Sequence, residues 1–353
     1  MNMMNKGVPW IIFAVALGFG GLATWCSWPR EADGRPPSAT HSPSTPPSIA
    51  RLRVATHPTI LGAPVTIAQD LPFYKDQSLD VEISYVASTK YSLPALVGGS
   101  VDMVLGSIAA GNFNILAEAG NVRIVADGGR VLPRLIIRRD LWGKNGIQSL
   151  AWLKGKRVRT TREGGPSHFA LLKLLREAGL SQGSLKPIPI EGEQETLAAL
   201  ERHDLDAALM NEPEASTAID LGVGVAYEGP EAKRAFPPSG QEWMLLYANA
   251  HMIERPDILR RFLGAYLKAV AAYNRASRNR NRNDPEVEAV INSISKYTKT
   301  PRDVVLKALW PTVPDDGTPD IAAISDMQKT YADLGLATER LDIGQALDLR
   351  FLK

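Results

Sequence analysis

Cysteine is nearly absent: Cys26 stands alone in 353 residues. That excludes a disulfide framework within one chain and removes the usual basis of a cysteine metal site. Histidine is sparse and scattered (His41, His57, His168, His203, His251), and no HExxH pair puts two imidazoles on one helix face. No metal centre is expected. Excess charge is missing as well. Forty Lys and Arg face 38 Asp and Glu, a formal net charge of +2, so a phosphate-tracking surface is not indicated and nucleic acid is not an expected partner. One local basic run, RNRNRND at 278–284, reads as a solvated helix end or loop, or as a contact for a partner or anionic lipid. No Gly-Lys-Ser/Thr follows a glycine-rich turn, and no GxSxG elbow marks a serine hydrolase.

Near the start, charge is missing from one long run. Val8 to Trp28 carries none. Such a segment is long enough to span a bilayer and also fits a signal peptide. Gly21, Leu22 and Ala23 offer a cleavage site, whereas bulky Trp25 before Cys26 departs from lipoprotein signals. Residues 1–28 are therefore a signal peptide or membrane anchor, and in each case the remainder is exported. Residues 29–50, rich in Pro and Ser, cannot bury a core and read as a tether.

What is present begins at Arg51. Strand and helix patterns alternate twice. LRVAT, LDVEISYV, VDMVLGS and VRIVADGG read as strands of a first round, with apolar helical spacing between them. KRVRTT, SLKPIPI, LDAALM and VGVAYEG repeat the order, with a strong helix at GPSHFALLKLLREAGL. PRLIIRRD and QEWMLLYAN are further strands, and the end of the chain is helical. ALVGGSVDMVLGS (95–107) and ALERHDLDAALMNEP (199–213) show the repeat most plainly, with Asp102 and Asp206 in matching places. This alternation predicts an α/β protein of two similar lobes with parallel-rich sheets. Asp102 and Asp206 start their strands and read as structural.

In order and spacing these segments resemble the substrate-binding proteins of ABC importers. The similar branch contains aliphatic-sulfonate, taurine, nitrate and thiamine-pyrimidine binders. The carriers are Phe73-Tyr74-Lys75 before Leu79-Asp80-Val81-Glu82, the ALVGGSVDMVLGS phrase, the loop and helix of KGKRVRTTREGGPSHFALLKLLREAGL, LDAALMNEPEAS, and DMQKTYADLGLATERLD. Asn211 departs from the pattern, at a place where an aromatic residue is frequent. The resemblance implies a type II periplasmic-binding-protein fold, with a hinge and two α/β lobes around a ligand cleft. The first lobe would comprise residues 51–138 plus 242–353, and the second 139–241.

Ligands of open α/β sheets collect at the carboxyl ends of strands, where helix N-termini offer free N–H groups. Four turns qualify. His57-Pro58-Thr59 follows the first strand, and Ser107 follows Gly106, placed either to donate to a ligand or to cap its own helix. Thr161-Arg162-Glu163-Gly164-Gly165-Pro166-Ser167 lets backbone approach closely through its two glycines. Asn211-Glu212 is the fourth turn. Ser88 and Thr89 after the second strand are a weaker form of the same arrangement. Arg134 and Arg162 could pair with a ligand acid or be solvated surface. Glu212 could accept from an amino group or favour a helix N-terminus. Trp243 and Tyr91 could stack on a ring.

The expectation is a solute-binding component that carries no catalytic residue and no cofactor. It would be a monomer on the periplasmic or extracytoplasmic face of a bacterial inner membrane. A small molecule, with a sulfonate-like anion slightly favoured, would pass to an ABC permease and its ATPase. A membrane-anchored sensor on the same fold is one alternative, and thiamine-pyrimidine precursor binding another. The fungal thiamine-pyrimidine synthases are similar in fold, but their cysteine-rich motif is absent here.

Overall fold

The computed structural model describes residues 48–86, 88–280, 283–338 and 340–352. The expected membrane or signal segment, Cys26, most of the tether and part of the 278–284 run lie outside them. Among the described residues no helix is long and apolar enough to cross a membrane.

Strands β1 (Ala50–Thr56), β2 (Leu79–Tyr85), β3 (Met103–Ser107) and β4 (Arg123–Val131) open the chain. Then come β5 (Arg134–Arg138), β6 (Arg157–Thr160), β7 (Lys186–Pro189), β8 (Ala207–Met210), β9 (Gly224–Ala226) and β10 (Gln241–Ala248). They form two five-stranded sheets, ordered β2-β1-β3-β10-β4 and β7-β6-β8-β5-β9. In each sheet a first strand pairs parallel with two neighbours, and one strand runs antiparallel. In the first sheet that strand, β10, returns from far along the chain, whereas the second sheet is built from the consecutive strands β5 to β9. Two residues, Leu132 and Pro133, separate β4 from β5, so the chain crosses there and returns at β10. The sequence placed β5 at the end of the first lobe. Leu135, Ile136 and Ile137 instead bury themselves beside β8, and the crossing comes earlier than residue 138.

The repeated aspartates explain why the two modules look alike. Asp102 accepts the backbone N–H of Arg53 at 2.8 Å and meets its guanidinium at 3.1 Å. Asp206 accepts the backbone N–H of Arg157 at 2.8 Å and meets that guanidinium at 2.7 Å. Each thus locks the start of its own strand, the middle one of its sheet, to the parallel neighbour, β1 or β6. Both stand at the end away from the ligand turns.

Helices cover both faces of both sheets. On the first, the long helix Pro256–Asn279 buries Leu259, Phe262, Tyr266, Val270 and Tyr273 along one stripe, the spacing that the 3.6-residue period demands. Full burial of each large side chain contributes roughly 1.5–3 kcal/mol. The opposite face carries Phe113 and Tyr331, and Phe169 from the helix Pro166–Glu177 of the second lobe packs among them. Around that contact Ala110 N–H donates to the Gly164 carbonyl at 2.9 Å, and Tyr331 Oη–H donates to the Gly165 carbonyl at 2.6 Å. Arg176 and Asp326 form an exposed pair at 2.8 Å between the same two elements. The lobes therefore meet through a mixed apolar and polar seam.

Candidate functional site

A cleft of about 630 Å³ lies between the two sheets. The first lobe supplies His57 to Leu61 after β1, Ser107 at the end of β3, and Arg130 to Leu132 at the end of β4. The second supplies Pro166 and Ser167, which begin the helix after β6, and Asn211 to Glu214 after β8. Trp243 and Met244 on β10 form part of the wall. The C-terminal segment adds Thr298, Thr300, Trp310 and Thr312. All four strand-end turns singled out from the sequence thus converge on this region, though not all of their residues reach the cleft surface.

Of the singled-out residues, His57, Thr59, Ser107, Ser167, Asn211 and Glu212 line the cleft. The others do different work. Ser88 caps the helix Thr89–Val97, its Oγ accepting the Lys90 N–H at 3.3 Å. Thr89 is 2% exposed and sits behind Ser107 rather than on the surface of the cleft. Arg134 pairs with Glu212 at 3.4 Å and Glu228 at 3.7 Å. Thr161 Oγ1 is buried and finds no hydrogen-bond partner among the described residues. Arg162 is exposed, and its backbone N–H donates to Glu191 at 2.6 Å. Gly164 donates its N–H to His168 Nδ1 at 3.2 Å, and with Gly165 it forms the seam between the lobes. Gly164 has φ of +78°, and an added Cβ would lie 3.0 Å from that of Ala110. Its glycine therefore serves the approach of the lobes to each other. Tyr91 is exposed and lies away from the cleft.

Three polar side chains build the floor. Thr89 Oγ1 lies 2.9 Å from His57 Nε2 and 3.1 Å from Ser107 Oγ, and it accepts the Ser107 N–H at 2.8 Å. Gly106 makes this possible, since a Cβ there would sit 2.6 Å from Thr89 Oγ1. Burial lowers the pKa of His57 below the usual imidazole value.

The cleft's electrostatics centre on Arg130, its one lining cation among the described residues. The guanidinium meets Asp127 at 2.9 Å and Glu242 at 3.1 Å, and donates to the Thr318 carbonyl at 3.0 Å. Both carboxyls are buried, and desolvation pushes them up, Glu242 to about 9, with the nearby Asp127 charge adding to its shift. Arg130 pulls in the opposite direction. Sequence reasoning missed Arg130 and the 298–312 wall. Arg130 follows a glycine pair like an ordinary turn residue, and nothing local to Trp310 says that the segment after the helix Arg302–Lys307 folds back onto the first lobe.

The model of the NMT1/THI5-like family matches residues 62–276. That span is more than half of the sequence. The chain belongs to the NMT1/THI5-like family. No curated protein matches it. Among solved structures, this family member is similar to the periplasmic aliphatic sulphonate binding protein SsuA from Escherichia coli. The TM-score is 0.66 at 19% identity, covering 85% of this chain and 92% of that one. It is also similar to the periplasmic nitrate-binding protein NrtA from Synechocystis PCC 6803, with a TM-score of 0.64 at 14% identity over 86% of this chain and 88% of that one. The desulfurization enzyme DSZB matches with a TM-score of 0.54 at 14% identity over 86% of this chain and 97% of that one. At these identities the likeness shows the fold, which is the two-lobe periplasmic-binding-protein architecture expected from the sequence.

Proposed function

We propose that this NMT1/THI5-like chain is the extracytoplasmic solute-binding component of an ABC importer. It captures one small organic solute between its lobes and delivers it to a membrane permease. The observation that carries the reading is the cleft itself. Turns from the carboxyl ends of both sheets meet around one space, the arrangement in which open α/β sheets hold ligands. The similarity to sulphonate- and nitrate-binding proteins supports the same class.

The preference for an anionic head group rests on the start of helix Pro166–Glu177, with Ser167, and on the Ser107 hydroxyl. It does not rest on Arg134, whose guanidinium is paired with Glu212 and Glu228, or on Arg162, which is exposed and outside the cleft lining. Leu61, Val131, Trp243 and Trp310 would take an apolar or ring-shaped body. Binding without turnover is the reading because His57 reaches the Ser107 hydroxyl only through Thr89. The uncharged run at 8–28 would hold the body near the membrane.

Calorimetric titration of residues 48–353 against alkanesulfonates, nitrate, small carboxylates and thiamine pyrimidines tests this. One-to-one binding at about micromolar affinity or tighter is expected from one class. Folded protein that gives heat with none of them would overturn the ligand class. Binding that supports no uptake in cells would transfer the role to sensing.

A further inference from the structure

We propose that Thr89, which no solute in the cleft would touch, sets whether the Ser107 hydroxyl donates to the solute or accepts from it, and does so through the tautomer of His57. The inference rests on the solute-binding reading and concerns how the same cleft chooses its ligand.

The argument is a count of protons. Thr89 Oγ1 has one hydrogen to give and two lone pairs to fill. One lone pair is already taken by the Ser107 N–H at 2.8 Å. Two neighbours remain, His57 Nε2 at 2.9 Å and Ser107 Oγ at 3.1 Å. One must donate to Thr89 and the other must accept from it. If His57 carries its proton on Nε2, that nitrogen donates, Thr89 donates to Ser107, and the Ser107 hydrogen is left for the cleft. If Nε2 is bare, Thr89 donates to it, Ser107 donates back to Thr89, and Ser107 shows the cleft only lone pairs. Both states satisfy every atom of the buried threonine. They differ only in direction.

Burial holds the His57 ring below its ordinary pKa, so near neutral pH it is uncharged and has one proton to place. Both ends of the relay line the cleft, while Thr89 is 2% exposed. A solute with an acceptor head, such as a sulfonate oxygen, selects the Nε2–H tautomer. A solute with a donor head selects the other. Thr89 is thus a positioning residue that couples ring and hydroxyl.

The test is a ¹⁵N spectrum of the histidine rings in the full chain, with His57 assigned through His57→Gln. Ethanesulfonate should move His57 toward the Nε2–H tautomer, and ethylammonium should move it toward Nδ1–H. Thr89→Val should abolish both tautomer responses and weaken ethanesulfonate binding by roughly tenfold or more. Thr89→Ser, which keeps the hydroxyl, should restore both. A bound probe that leaves the His57 tautomer unmoved would overturn the proposal, as would Thr89→Val that binds and responds like the wild type. If neither probe binds, the solute-binding reading suffers, and the unliganded spectrum still decides on the relay. There Thr89→Val must shift the His57 ring nitrogens, and an unchanged spectrum would refute it.

Discussion

Substitution of Gly106 by alanine probes the floor of the cleft with the smallest possible change. The new methyl would lie 2.6 Å from Thr89 Oγ1, 2.7 Å from Thr89 Cγ2 and 3.1 Å from Val104 Cγ1. Favourable contact between carbon atoms lies near 3.5–4.0 Å, so Thr89 must retreat by on the order of 1 Å. A retreat of that size carries the Ser107 N–H bond, now 2.8 Å, out of hydrogen-bonding range. Overpacking of this kind costs about 1–3 kcal/mol. Gly111 is the control. It lies four residues after Ser107, in the helix Ala110–Ala119, is exposed, and would meet nothing within 4 Å. Gly111→Ala should stabilise by up to about 0.5–1 kcal/mol through reduced backbone freedom. Urea denaturation followed by fluorescence and circular dichroism measures both. The double variant Gly106→Ala/Thr89→Ala removes the colliding side chain, and its cost should fall well short of the sum of the two single changes. A Gly106→Ala protein within about 0.5 kcal/mol of wild type, or a strictly additive double variant, would refute the reasoning.

Further outcomes follow from the charged groups. Burial raises the Glu242 carboxyl to about 9, so the folded state binds a proton there that the unfolded chain has lost. Stability from this group is fully present below the ordinary carboxyl range and is lost as pH rises toward 9. The melting temperature should therefore fall from pH 6 to pH 9, and Glu242→Gln, which mimics the protonated form, should flatten that slope. An unchanged slope would show that Glu242 is ionised in the fold. Asp102→Ala removes the partner of one strand N–H and one guanidinium, both of Arg53, whereas Asp206→Ala removes the partner of the Arg157 N–H and guanidinium and of a second guanidinium, Arg138 at 3.4 Å. Both urea midpoints should drop, that of Asp206→Ala at least as far, while ligand affinity stays intact, because both sites are remote from the cleft. A large loss of affinity in either would contradict their structural role.

Much of this architecture was legible in the sequence because its signals are local. Period-two strands, glycine-ended helices and the Asp102 and Asp206 echo all depend on near neighbours, and the aspartates proved to be twin strand locks. The turns after four strands were legible for the same reason, since strand-then-helix order fixes which loops share an edge of the sheet. The detail inside each turn was not. Gly164 and Gly165 promise close backbone approach, but whether a ligand or the other lobe approaches is decided by Ala110 and Tyr331, far away in sequence. Arg134 reads as a free cation until Glu212 is brought beside it. The crossing strand β5 was misplaced because an apolar strand carries no mark of which sheet it will join. Within the basic run, Arg280 has a structural partner that its sequence context does not announce. Arg280 lies over the Trp310 ring at 5.5 Å and donates to the Leu306 carbonyl at 3.2 Å, so it supports a wall of the cleft.

The most direct test of the central claim is to fill the cleft from the second lobe. Ser167 lines it, at the start of the helix Pro166–Glu177. Ser167→Trp should leave the circular dichroism spectrum and melting temperature close to wild type. Calorimetric titration with the solute that binds the wild-type protein should then give no heat. Full one-to-one binding by this variant would place the solute outside the space between the lobes and contradict the account.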